Sequence, residues 1–280
     1  MPAVKLELQS RPESLILVRG MLVGVADLLG FDPELVHNLK TVVSEACNNV
    51  IIHAYGGEPG PLAVSLEIAP DGVEAVVRDW GRGIRHVTPA GDRFHVGLAV
   101  ISAIADRAQF LRAPGGGTEV RMAFTGQGGI RTLDPPVVIE NGDQVAMELS
   151  GDAIATLSPV GLLEGVLARV TTALAAHARF SLDRFCDVYL VTDAVAAHAG
   201  SSAVGDQLGF AVAAGDHSLE LTVGPFRVGS GVELRDEDGF GQLGSALSLL
   251  AVELEVEPVV GAEMWRLVVH DSGDRAAVSA

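Results

Sequence analysis

Glu45, Asn49 and His53 recur at four-residue steps in the segment VSEACNNVIIHAY, which runs from Val43 to Tyr55. On a helix of about 3.6 residues per turn, that spacing gathers a carboxylate, an amide oxygen and an imidazole along one stripe. A helix face turned toward a core should be apolar, and this one is polar. Buried polar groups need partners, and a magnesium ion carrying phosphates, with its waters, would supply them for the carboxylate and the amide. His53 is the weakest member, because a histidine one turn from a helix end more often caps or packs than does chemistry. A glycine turn follows further along, Arg78-Asp79-Trp80-Gly81-Arg82-Gly83-Ile84. Gly-x-Gly alone occurs in ordinary turns. Behind a strand, with Asp79 leading it and the polar stripe upstream, the pair looks like the two walls of a nucleotide pocket. Trp80 reads equally as a shield for that pocket or as a partner contact.

The elements that must position these groups are legible from periodicity. Val4 to Leu8 alternates as a strand, and Ser14 to Leu29 has helical apolar spacing with Leu15, Val18, Leu22 and Val25 inward. Asp32-Pro33-Glu34 starts a second helix, aspartate as N-cap and proline in the first turn. That helix carries the polar stripe to about Tyr55, where Gly56-Gly57 ends it. Leu62 to Ile68 and Val73 to Arg78 read as strands joined through Pro70-Asp71-Gly72, a hairpin that delivers Asp79 to its turn. A polar stretch from Arg85 to His95 precedes a helix that opens at Val96-Gly97-Leu98 and runs to about Asp106. Ala108 to Arg112 and Thr118 to Phe124 close the module as a strand pair across Pro114-Gly115-Gly116-Gly117, itself read as only a hairpin connection.

Residues 126–136, rich in glycine and proline and without periodicity, form the expected linker between a first domain, 1–125, and a second, 137–280. The second repeats the first at a shift of 148 positions, which sets Glu45 against Asp193, Asn49 against Ala197, Asp79 against Arg227, and Gly81 and Gly83 against Gly229 and Gly231. Near the end, Gly117-Thr118-Glu119 resembles Gly261-Ala262-Glu263. The chain thus reads as a tandem duplication whose second copy has lost its metal-facing amide and reversed the charge in its glycine turn.

Composition sets the outer bounds. With 280 residues, 48% of them hydrophobic, two ordinary domains can fill their cores. A formal net charge of −17 argues against direct nucleic-acid contact, which rests on clustered Lys and Arg. The acidic run Arg235-Asp236-Glu237-Asp238 reads as a solvated loop. Cys47 and Cys186 both fall in apolar helical patterns and are expected to be buried thiols of a reducing, cytoplasmic compartment. No leader opens the chain and no apolar run is long enough to cross a bilayer, so no membrane role is expected.

Taken in order, these signals resemble the GHKL superfamily of histidine-kinase-like ATPases: a helix with Glu, Asn and His, an Asp-x-Gly-x-Gly-Ile turn after a strand, Gly-Leu at a helix start, and Gly-Thr before a last strand. Within it, the wording SEACNNVIIHAY looks most like the anti-sigma-factor serine/threonine kinases. The resemblance implies an α/β (α+β) two-layer sandwich with helices on one face of a mostly antiparallel sheet, and ATP or ADP with Mg as cofactors. It implies Glu45 as the carboxylate that orients or deprotonates the attacking hydroxyl, and Asn49 as the magnesium ligand. Asp79 would accept the adenine amino group, and Gly81 and Gly83 would keep the wall against the base free of side chains. Gly97 and Leu98 would bring a helix N-terminus to the phosphates, and Thr118 would help hold adenine. One departure is visible: the family's spaced glycines ahead of Gly-Leu are replaced by Gly91-Asp92-Arg93-Phe94-His95-Val96.

Two functions follow from the resemblance. One is a kinase that phosphorylates a small anti-sigma antagonist while sequestering a sigma factor, with the second copy standing in for a dimer partner within one chain. The alternative is a non-catalytic binding module whose nucleotide sets the shape of a docking surface for sigma factor or antagonist.

Overall fold

The structure, a computed structural model, describes residues 1–83, 94–126, 147–236, 247, 250 and 252–271. Ile84, the stretch ahead of Gly97-Leu98 as far as Arg93, nearly all of the expected 126–136 linker, and Glu237 and Asp238 lie outside the described residues. The chain divides into two compact units, Met1–Asp134 and Pro135–Ala280.

In the first unit, β1 (Ala3–Gln9) buries Val4, Leu6 and Leu8 on alternate positions. Helices α1 (Ser14–Leu29) and α2 (Pro33–Asn49) follow. Asp32 caps α2 by accepting the Glu34 N–H at 2.8 Å, with Pro33 in the first turn, where a missing N–H costs nothing. Past Asn49 the helix widens into a π-helical turn, Val50–Ala54. Strands β2 (Pro61–Ala69) and β3 (Gly72–Asp79) form a hairpin whose register runs from Ala69↔Gly72 to Leu62↔Asp79. After α3 (Phe94–Ile104) come β4 (Arg107–Arg112) and β5 (Thr118–Thr125).

The strand order is β4-β5-β3-β2-β1, antiparallel throughout. Val73, Ala75 and Val77 of β3, with Val120, Met122 and Phe124 of β5, are buried, and α2 packs over both strands. Their alternates carry charge: Arg121 donates to Glu119 at 2.8 Å and to Glu74 at 3.2 Å. One face is therefore core and the other polar, as a two-layer α/β sandwich requires.

The second unit repeats this order of elements. It comprises β6 (Ala153–Ser158), α4 (Leu162–His177), α5 (Leu182–Ser202), β7 (Leu208–Gly215), β8 (Ser218–Phe226), α6 (Ser230–Asp236), β9 (Glu253–Val259) and β10 (Ala262–His270). Its strand order, β9-β10-β8-β7-β6, is again antiparallel. Arg266 bridges Glu220 at 2.7 Å on its charged face, as Arg121 bridges Glu74 in the first unit.

Cys47 is buried on α2, and desolvation pushes its thiol up to about 12, against a smaller opposing pull from Arg19. Cys186, expected to be buried, is exposed. The apolar spacing around it belongs to the outward side of α5, where Leu182, Tyr189 and Leu190 are all exposed. A thiol without thiolate character does not react. The native chain should therefore take up one equivalent of iodoacetamide at neutral pH, at Cys186, and a second only in denaturant, as read by peptide mass spectrometry. Modification of native Cys47 would show that α2 opens far more readily than its burial implies.

Candidate functional site

Glu45 and Asn49 stand one turn apart on α2, both half-buried. Gly97, the fourth residue of α3, lies directly against them. A Cβ there would stand 3.2 Å from Glu45 Oε2 and 3.4 Å from each end of the Asn49 amide. Asn49 Nδ2 is buried and finds no hydrogen-bond partner among the described residues. Buried amides are ordinarily satisfied, so an unpaired one beside a carboxylate and a bare backbone is what a ligand-facing group looks like before its ligand. A flip exchanges the amide oxygen and nitrogen, so either atom can be presented there. Gly97 is buried and Leu98 half-buried. The first backbone amides of α3, those of Phe94 onward, lack intrahelical partners by construction.

The polar stripe ends at Asn49. The π-helical turn has more residues per turn than an α-helix, which carries His53 round to an exposed position and off the line of Glu45 and Asn49. The widened turn also meets the glycine turn. The Ala54 carbonyl accepts the Arg82 N–H at 2.9 Å, and a Cβ on Gly81 would collide with that same carbonyl. Asp79 is 3% exposed, and its Oδ1 accepts the Gly81 N–H at 2.8 Å, which fixes the carboxylate at the head of the turn.

Gly83 (φ +73°) approaches Gly117 so closely that a Cβ would lie 3.2 Å from its carbonyl. Gly117 (φ +83°) in turn has no room for a Cβ against the Asp79 carbonyl and Trp80 Cα. The glycine run 115–117 thus does more than join two strands. Its last member is part of the wall behind Asp79. Thr118 opens β5 one register step beyond the pair Arg78↔Glu119, which brings it opposite Asp79. Glu45, Asn49 and Gly97 therefore form one cluster and Asp79, Gly81, Gly83 and Thr118 a second. Both are anchored on the same helical run, at Asn49 and at Ala54.

Nothing in the sequence assigns Tyr55 a role, and it ties the second cluster together. Its hydroxyl donates to the Pro61 carbonyl at 2.5 Å and accepts the Trp80 N–H at 2.9 Å, so the helix end, the start of β2 and the glycine turn meet at one oxygen. Burial raises its pKa, the Trp80 hydrogen bond offsets this in part, and the charge of Asp79 adds to the rise, so the phenol stays a donor. Gly60 makes room for the ring, since a Cβ there would stand 2.5 Å from it. An aromatic residue just before Gly56-Gly57, with another glycine five residues on, was the available signal. Trp80 is 39% exposed, with the Arg78 guanidinium 4.9 Å above its ring.

Helix α5 lines up with α2 at a shift of 149, one position more than residue matching suggests. Ser181 caps α5 as Asp32 caps α2, and buried Val188, Val191, Thr192, Val195 and Ala199 match buried Leu39, Val42, Val43, Ala46 and Val50. Glu45 then corresponds to Ala194 and Asn49 to His198. Asp193, which the 148 shift set against Glu45, is exposed.

Residues 8–124 match the family described as Histidine kinase-like ATPase domain. Three curated relatives are each named Serine-protein kinase RsbW. That of Bacillus pumilus (strain SAFR-032) is 37% identical over 81 residues, 28% of this chain and 50% of the relative. That of Bacillus velezensis is 35% identical over 79 residues, 28% of this chain and 49% of the relative. That of Bacillus cereus (strain Q1) is 30% identical over 78 residues, with the same shares. The chain thus spans about half the length of the curated relatives it matches. Among solved structures, crystal form III of TP0453 aligns over 96% of this chain and 88% of that one, with 10% identity and a TM-score of 0.33, a level of likeness that carries no argument. No helix among the described residues is long and apolar enough to cross a membrane. The glycine turn, the polar helix stripe and the match to the histidine kinase-like ATPase family coincide in one stretch of chain, residues 8–124.

Proposed function

We propose that the first unit binds ATP or ADP with magnesium and acts as a serine/threonine kinase of the anti-sigma-factor type. Its protein substrate would be a small antagonist, and its sequestered partner a sigma factor. The observation that carries this reading is the unpaired Asn49 amide beside the Glu45 carboxylate, both against the bare backbone of Gly97. Magnesium, when bound, would neutralise phosphate charge. Asn49 is the residue that would hold it, through an amide oxygen suited to a hard cation. Glu45, one turn earlier, would take the proton of an incoming serine or threonine hydroxyl. Asp79, steadied by Gly81, would accept from the adenine amino group, with Thr118 beside it, and Gly81 and Gly83 would leave the backbone bare against the ring. Gly97 and Leu98 belong to the first turns of α3, whose unpaired amides favour an anion.

The domain boundaries proposed are 1–125 for the nucleotide module, 126–136 for the linker and 137–280 for a degenerate duplicate. The duplication is supported by the repeated order of elements, the repeated strand order and the repeated Arg–Glu bridge on the charged face.

Calorimetry separates the parts of this proposal. Mg-ADP should bind the whole chain, and Asp79→Asn should weaken it by at least about tenfold, since a hydrogen bond to a charged group is worth roughly 1.5–3 kcal/mol. Asn49→Ala should abolish the gain that magnesium gives while leaving metal-free ADP binding nearly unchanged; equal losses with and without metal would remove Asn49 from the metal site. In a transfer assay with radiolabelled ATP and a candidate antagonist, Glu45→Ala should bind nucleotide normally and lose label transfer by two orders of magnitude or more. Binding without transfer in the wild-type chain, against every antagonist tried, would leave the non-catalytic module as the better description. Tyr55→Phe, which removes one oxygen and keeps the ring, should weaken ADP about fivefold through the turn it holds, consistent with about 1 kcal/mol per hydrogen bond. Unchanged affinity would mean that the glycine turn holds its shape without that hydroxyl.

A further inference from the structure

The second unit has a buried carboxylate that the reading above leaves without a role. Glu263, 5% exposed, accepts from the Gly229 N–H at 2.8 Å, the Gly231 N–H at 2.5 Å, the Ser230 hydroxyl at 3.0 Å and the Trp265 indole N–H at 3.1 Å. Four donors converge on two oxygens. These include both glycine amides of Gly229-Ser230-Gly231, at the start of α6, which residue matching at a shift of 148 sets against Gly81-Arg82-Gly83. In the first unit Asp79 takes a single amide of its turn, that of Gly81.

Counting along the strands shows where the carboxylate comes from. The hairpin pairs Gly72↔Thr125 and Ser218↔His270 correspond, so stepping back along β5 and β10 sets Trp265 at the place of Val120 and, past a bulge, Glu263 at that of Thr118, one position from the Glu119 that residue matching suggests. The burial patterns agree at this offset, as do Arg121 and Arg266, which make the matching bridges to Glu74 and Glu220. At two inward positions of the strand that backs the site, a threonine has become a glutamate and a valine a tryptophan.

The tryptophan leaves no space behind it. Trp265 is fully buried, stacked on Phe226 at 3.8 Å between ring centroids and 5.4 Å from His198, the residue at the place of Asn49. A Cβ on Gly231 would stand 2.9 Å from the indole nitrogen, 3.1 Å from Glu263 Oε1 and 2.5 Å from Val256. The atoms nearest a Cβ on Gly97, in the first unit, are the polar ends of Glu45 and Asn49.

We propose that the second unit is self-occupied: Glu263 and Trp265 fill the space a nucleotide would take, Glu263 acts as a permanent internal ligand for the glycine turn, and the chain binds one nucleotide, in its first unit only. The stoichiometric half of this rests on the function proposed above. The internal-ligand half stands on the hydrogen bonds alone, because a turn whose amides are already spent on a buried carboxylate has no donors left for another anion.

Two measurements on the full chain test it. Amide hydrogen exchange should show Gly229 and Gly231 strongly protected. In Glu263→Ala their exchange should rise about tenfold or more, and sodium formate should restore part of the protection where sodium chloride at equal ionic strength does not. Glu263→Gln, which keeps the volume and loses the charge, should lie between wild type and alanine, and it serves if the alanine variant unfolds. Unchanged exchange in both variants, or no difference between formate and chloride, would overturn the internal-ligand role. Calorimetric titration with Mg-ADP should give one site per chain, weakened at least about tenfold in Asp79→Asn. A second site, or a site whose affinity Asp79→Asn leaves unchanged, would overturn self-occupation. Absence of any site in the wild-type chain would instead defeat the nucleotide reading of the first unit and leave the exchange result to decide the role of Glu263.

Discussion

The candidate site depends on a missing side chain. Because Gly97 has no Cβ, the backbone of α3 can lie against the carboxylate of Glu45 and the amide of Asn49 without covering them by carbon. A Cβ there would stand closer than usual to the far ends of both polar side chains, which would have to give way and would be partly covered by carbon. Among the described residues Asn49 Nδ2 has no partner, and glycine offers it no side chain to bond. Burial of an unsatisfied amide costs roughly 1–3 kcal/mol, a strain that a bound ligand would relieve and that an apolar replacement would avoid altogether.

The elements of the first unit were largely legible because their signals are local. The Ser14–Leu29 helix, the aspartate–proline start of α2 and the Pro70-Asp71-Gly72 hairpin depend on neighbours within a few residues, and the structure reproduces them nearly to the residue. What could not be read depends on non-local or non-repeating geometry. A π-helical turn has no periodic signature, so the stripe was extended one member too far, to His53. The Tyr55 hydroxyl joins a carbonyl and an amide from two other elements, a convergence with no mark in the chain. Gly117 passed for a plain connection because its close contact is with residues nearly forty positions earlier. Cys186 was misplaced for a different reason: α5 shows apolar residues on its exposed side, and spacing alone does not say which side faces in.

The two units show how one topology can take different occupants at the same strand positions. Both keep the charged outer face and the buried α2-like or α5-like helix, which are matters of stability. They differ at the inward end of one strand, threonine and valine in one, glutamate and tryptophan in the other. Such changes cost the fold little when the incoming groups are satisfied, and Glu263 is. Desolvation alone would raise its pKa, yet the donors around it more than offset that and hold the carboxyl below its ordinary range.

The widened turn at Val50–Ala54 has a consequence for how the helix tolerates change in length. One more residue separates the cap from the carbonyl that accepts an arginine N–H in the first unit, from Asp32 to Ala54, than in the second, from Ser181 to Ser202. Both ends are nonetheless pinned in the same way, by a capping side chain at the start and by an arginine N–H at the finish. The surplus residue is absorbed as a local loosening of the coil, so an insertion there re-aims the side chains after it without moving the anchors at either end.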